Sequence, residues 1–206
     1  MIFIKAYCRI KERSATVNGR IVFESKTTKK CMKDVLSEIF ESLKTDYRKF
    51  YKMDALSKLG FLASEFVLQG FNRDEPKQDM AVALFNRSSS LEADVNYQKT
   101  IQDRENFFPS PSDFVYTLPN IVMGEIAIRN KIYGETAFYV LPQFNSDAIC
   151  NTVSDLLLQA QMKHVLAGWV EVDPFFETYD CLMALCGETE TDIPLTGSNL
   201  NRLYNN

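Results

Sequence analysis

Residues 2–10, IFIKAYCRI, alternate along the chain and are rich in β-formers, which predicts a first strand. Residues 11–30 are polar, and Asn18-Gly19 before Arg20–Phe23 marks a hairpin turn. Val35, Ile39 and Leu43 share one face of a short helix over 31–44. Phe50, Met53, Leu56, Gly60, Ala63 and Val67 recur every three or four residues and predict a longer helix over 46–68. After a loop at 72–76, the continuous apolar run Met80–Phe85 reads as a strand covered on both faces.

Ser88–Ser90 cap a further helix, and residues 106–112 (NFFPSPS) form a proline-broken loop. Pro119–Ile128 predicts a helix with proline in its first turn, Thr136–Leu141 a strand, and Ser146–Gln161 a helix with Ile149, Val153, Leu156 and Ala160 inward. His164–Val172 and Tyr179–Leu185 are the last strand candidates, and Gly168 allows close backbone approach. Strands and helices alternate, which predicts one domain over residues 1–190 with a mostly parallel sheet covered on both faces. Residues 191–206 are expected to be a flexible tail.

At 206 residues and 46% hydrophobic, the chain can bury one well-formed core. A net charge of −4 gives no basis for binding nucleic acid or an anionic membrane. Mild basic clusters at 5–13 and 26–33 are diluted by Glu12 and Glu24 and read as solvated surface. No apolar run reaches the roughly 20 residues of a membrane span, and the N-terminus carries no signal-type cleavage site, so a cytoplasmic protein is expected. Five cysteines without CxxC or zinc spacing read as reduced thiols.

Catalytic signals are few. The chain has a single histidine, His164, so no histidine metal set can form, and no metal or cofactor is expected. P-loop, GxGxxG and GxSxG motifs are absent. GETAFYVLPQFNSDAI, residues 134–149, reads as strand, sharp turn and helix, the place where many α/β enzymes present a nucleophile. That turn carries Pro142 and Gln143, with Ser146 and Asp147 as helix-capping residues, and Cys150 falls one helical turn inside.

Ser110-Pro-Ser-Asp-Phe114, Leu118-Pro119-Asn120 with Gly124 four residues on, Gly134 and Thr136–Leu141 resemble the N-terminal half of β-ketoacyl-acyl-carrier-protein synthases. Tyr47–Asp54 resembles that family's basic entry to its first long helix, and His164–Glu171 its glycine-bearing strand. The resemblance covers roughly residues 45–187. It implies a thiolase-like half: α/β, a single five-stranded mixed sheet of order 3-2-1-4-5 with helices on both faces.

Counting from Gly134, Gln143 stands where a ketosynthase has its cysteine. An amide is no nucleophile, so acyl transfer at this position is excluded. Ketosynthases are about twice this length, with two active-site histidines in a second half. A short, glutamine-bearing relative resembles the chain-length-factor subunits of type II polyketide and aryl-polyene systems.

The implied function is a non-catalytic subunit that pairs with a full-length ketosynthase and, through it, with acyl carrier protein. Ala137, Phe138, Tyr139, Val140 and Leu141 would form the partner interface. Phe108, Phe114, Tyr116, Leu118 and Met123 are the candidates for gating the acyl tunnel. A self-associating scaffold or a carrier-protein binding module is the alternative reading, and homodimerisation belongs to it. Malonyl decarboxylation ranks last, because that chemistry needs the histidine pair.

Overall fold

The computed structural model describes residues 1–26, 31–105, 107–175 and 177–206. Residues 27–30 of the second basic cluster and Asn106 of the proline-broken loop lie outside the described residues.

The chain opens with three antiparallel strands, β1 (Phe3–Lys11), β2 (Ser14–Val17) and β3 (Arg20–Glu24). Asn18 and Gly19 both adopt positive φ, 50° and 77°, the paired left-handed turn that an Asn-Gly hairpin calls for. Helix α1 (Met32–Ser42) buries Val35 and Ile39. The long helix starts later than its periodicity predicts. Residues Arg48–Lys52 form a 3-10 turn, Met53 is extended, and Asp54 caps α2 (Ala55–Val67) by accepting from Ser57 N at 3.0 Å.

Strand β4 (Met80–Asn86), helices α3 (Leu91–Ile101), α4 (Pro111–Val115) and α5 (Ile121–Asn130), and strand β5 (Thr136–Val140) follow. Helix α6 (Ser146–Leu158), strands β6 (His164–Asp173) and β7 (Thr178–Gly187), and helix α7 (Gly197–Asn205) complete the fold.

The sheet has seven strands in the order β3-β2-β1-β7-β6-β4-β5, not five. Among the described strands two pairs are parallel, β4 with β5 and β4 with β6, and the other four are antiparallel, so the expected mostly parallel sheet is corrected to a mixed one. Two of the seven strands, β2 and β3, come from the N-terminal hairpin. Counting β1, β4, β5, β6 and β7 as first to fifth, the order is 3-2-4-5-1 in place of 3-2-1-4-5.

The residues explain the displacement of β1. A central strand must be apolar on both faces, and β6 is buried along almost its whole length. At Gly168, a side-chain carbon would come within 2.1 Å of Leu182 O, so glycine lets β6 lie directly against β7. Strand β1 places Tyr7, Arg9 and Lys11 at alternate positions and sits further out. A bulge at Lys5 switches its inward face, so Ile4 joins one core while Cys8 and Ile10 join the other.

Two cores result, one on each side of the sheet. The larger gathers α1, α2 and α5 around Phe50, Phe61 and Ile126. The smaller packs α6 and α7 over Ala83, Phe85, Trp169 and Leu182. Residues 191–206 are therefore no flexible tail. Thr196 caps α7 by accepting from Asn199 N, and Leu200 and Leu203 are buried against the sheet. Ile4 N donates to Ile193 O at 2.8 Å, fixing the approach to that helix.

Candidate functional site

In open α/β sheets, ligands meet the protein beyond the carboxyl ends of parallel strands. Here those ends belong to β4, β5 and β6, and Gln143 lies among them. Leu141 N donates to Asn86 O at 2.8 Å, holding the end of β5 to the end of β4. Pro142 and Gln143 are exposed. Asn145, not Ser146, caps α6, accepting from Ala148 N at 2.9 Å. The strand-turn-helix expected here is present, and its apex is an amide beside a proline that has no N–H to offer.

The loop after β4 is pinned beside this turn. Glu171 of β6 accepts from Arg87 N at 2.7 Å, from Ser88 N at 3.2 Å and from the Ser88 hydroxyl. The Arg87 side chain reaches Asp173 at 3.1 Å. A cleft of about 260 Å³ opens here, lined by Arg87, Gln143, Phe144, Trp169, Tyr179 and Tyr204 among others. Its carboxylates, Glu171, Asp173 and Asp180, already hold partners within the protein.

The single histidine does not serve this turn. His164 begins β6, at the opposite end of the parallel strands from Gln143. Burial, and then the Lys5 ammonium 3.4 Å from its Nδ1, depress its pKa, and Phe71 packs edge-on against the ring. Cys150 is half-buried, and burial followed by Asp147 raises its thiol away from the reactive range. Cys8, Cys181 and Cys186 are buried, with Cys186 pushed up to about 12. Among the described residues no cluster of His, Cys, Asp and Glu could hold a metal ion, and no helix is long and apolar enough to cross a membrane.

Residues 137–141 divide by position. β5 is one edge of the sheet, paired only with β4. Phe138 packs against the larger core, and Tyr139 stacks on Phe85 with ring centroids 4.9 Å apart. Ala137 and Leu141 are half-buried, while Val140 is exposed. Val82 N donates to Glu135 O, and Leu141 N donates to Asn86 O, which sets the alternation along β5. The N–H groups of Ala137, Tyr139 and Leu141 face β4, and those of Thr136, Phe138 and Val140 face outward.

The five tunnel candidates do not line the Gln143 cleft. Phe108, Phe114 and Leu118 are exposed on the α3–α4 side. Tyr116 donates to Glu125 Oε1 at 3.2 Å, and Lys49 pairs with Glu125 Oε2 at 2.8 Å. Met123 is a core residue, 3% exposed.

Residues that the sequence reading did not single out line the cleft, Arg87, Asp180 and Tyr204, with Arg9 behind them against Asp180 and Tyr204. Leu200, Leu203 and Tyr204 share the three- and four-residue spacing of a helical face, the one signal in the sequence that could have revealed the last of them.

No family model matches the sequence, and no curated protein matches it. Solved structures do. The ishigamide ketosynthase/chain length factor aligns with TM-score 0.68 at 15% identity, over 94% of this chain and 64% of that one. The ketosynthase ApeO in complex with its chain length factor ApeC, from Xenorhabdus doucetiae, aligns with TM-score 0.58 at 14% identity, over 99% and 90% of the two chains. The type II polyketide synthase complex AntDE:AntF aligns with TM-score 0.57 at 11% identity, over 91% and 62%. The chain thus spans just under two thirds of the ishigamide and AntDE chains it matches. The fold of this chain is that of the ketosynthase and chain-length-factor structures.

Proposed function

We propose that this chain is a non-catalytic, chain-length-factor-like subunit that pairs with an active β-ketoacyl-acyl-carrier-protein synthase in polyketide- or aryl-polyene-type synthesis. The observation that carries the reading is Gln143 at the crevice of a ketosynthase-like sheet. A thiolate there would attack a thioester; an amide does not. The subunit's contribution is then to its partner, completing the partner's dimer and shaping the space for the growing chain.

The two edges of the sheet support the choice of surface. Strand β3 is blunted: it carries charge at Arg20 and Glu24, and a bulge at Val22 breaks its register with β2. Strand β5 has no bulge in its pairing with β4, and its sequence TAFYV carries no charge. Such an edge is a hazard for aggregation unless something pairs with it. A ketosynthase edge strand is the occupant in this reading; a second copy of this chain meeting the same edge is the alternative, the self-associating scaffold. The position of His164, at the far end of the parallel strands, counts against the decarboxylase reading, which calls on histidine beside Gln143.

A ketosynthase assayed with acyl and malonyl carrier thioesters, alone and with this chain added, tests the role. The reading expects condensation to rise on addition while this chain acquires no acyl mass. Condensation or malonyl turnover by this chain alone overturns it.

A further inference from the structure

Helix α7 contributes more than core packing. The Tyr204 ring lies on that of Phe144, with centroids 3.9 Å apart and planes 1° from parallel. The Arg9 guanidinium carbon stands 4.8 Å from the same ring's centroid. A stacked ring and a guanidinium cannot share one face at these distances, so Tyr204 is held between them.

Polar contacts fix it further. The Tyr204 hydroxyl donates to Asp180 Oδ2 at 2.6 Å, and Arg9 Nε donates to Tyr204 O at 3.0 Å. Arg9 Nη1 bonds Asp180 Oδ1 and also donates to Cys181 O at 3.0 Å. Arg9 is 5% exposed, and its Nη2 is buried without a hydrogen-bond partner.

A buried charge with an unsatisfied N–H is a costly way to stabilise a fold. A nine-residue helix is also marginal without tertiary contacts. What the arrangement does hold is the segment after β5. Between the Leu141–Asn86 bond and the Asn145 cap, Pro142 and Gln143 are exposed, and the Phe144 ring is the anchor of the turn. That ring is fixed by Tyr204 and by the edge of Trp169, centroids 6.1 Å apart.

We propose that α7 is a strap: Tyr204, clamped by Arg9 and Asp180, is a positioning residue that fixes the turn carrying Gln143 through Phe144. The strap stands on this geometry alone and does not rest on the proposed function.

Trp169 is the single tryptophan of the chain, 3% exposed and edge-on to Phe144, so its fluorescence reports on the turn. Acrylamide quenching is measured on the full chain and on three variants, each checked for a cooperative melt. Tyr204→Ala is expected to raise the quenching constant severalfold, while Tyr204→Phe, which keeps the stack, stays near the parent. Leu203→Ala, which loosens α7 without removing the ring, is expected to stay low.

Equal quenching in Tyr204→Ala and the parent overturns the strap. So does an equal rise in Leu203→Ala, which would make α7 ordinary packing. Should Tyr204→Ala fail to fold, Tyr204→Leu, apolar but unable to stack, makes the same comparison.

Discussion

His164 and Gln143 stand at opposite ends of the parallel strands. His164 is level with Met80 of β4, while the last paired residue of β5, Val140, is level with Asn86. At roughly 3.3 Å per residue, the strand between those levels separates imidazole and amide by about 20 Å. Gln143→Cys is therefore expected to leave the isolated chain unable to condense acyl and malonyl units. Product analysis with carrier-bound substrates checks this; condensation by the isolated variant would contradict it.

Asp54 yields a prediction about pH. Burial is the main reason its carboxyl is pushed up from 3.8 to about 6, with Glu92 adding to the rise and the Ser57 and Leu56 contacts opposing it. Burial lowers the pKa of Lys58 in the same cleft, where Lys33 pairs with Glu92 at 3.0 Å. The folded state holds the Asp54 proton more tightly than the unfolded chain does. Stability from this group is thus greatest at low pH, falls between 3.8 and about 6, and stays reduced above that.

Asparagine caps a helix as well as aspartate and carries no charge. Asp54→Asn should match the parent near pH 4 and exceed it at pH 8 by about 2 kcal/mol, given about 1.4 kcal/mol per pKa unit and some loss of the Lys58 attraction. Thermal melts across that range decide the matter. A gap that does not change with pH would place the shift elsewhere.

The proposed tunnel residues are expected to separate by experiment. Met123→Ala removes a core side chain and should cost about 2–5 kcal/mol. Phe114→Ala alters an exposed ring beside Tyr97, and should change stability by no more than about 0.5 kcal/mol. If Phe114 limits product length, the complex formed with Phe114→Ala makes longer chains at similar yield. Unchanged length with the complex intact removes Phe114 from that role.

Much of this architecture was legible because its signals are local. The apolar run Met80–Phe85, the face containing Leu56, Gly60 and Ala63, and the turn at Pro142-Gln143 are each set by neighbours in sequence. The helix starts later than its spacing implies because Phe50 and Met53 keep the helical spacing, yet reach the core from a 3-10 turn and an extended residue.

The family resemblance implies a central place for β1. Its own alternation of Tyr7, Arg9 and Lys11 argues against a central place. Helix α7 was missed because its stretch, GSNLNRLYN, is polar, and two buried leucines carry its packing. The surroundings of Gln143 stayed hidden for another reason: Arg9, Asp180 and Tyr204 come together only through β1–β7 pairing and the return of α7.

The central claim is that a ketosynthase pairs with the outer edge of β5, and the ladder separates two proline substitutions. Val140→Pro removes an outward donor and leaves the bonds to β4 intact, whereas Tyr139→Pro removes an inward donor and should damage the chain's own sheet. Co-expression with a tagged, cysteine-bearing ketosynthase, followed by size exclusion with light scattering, measures stoichiometry for the parent and for Val140→Pro. The account predicts a one-to-one complex for the parent, and for Val140→Pro a folded chain that elutes apart from the ketosynthase. A parent chain that never joins a ketosynthase, or a Val140→Pro variant that joins as well as the parent, would contradict it.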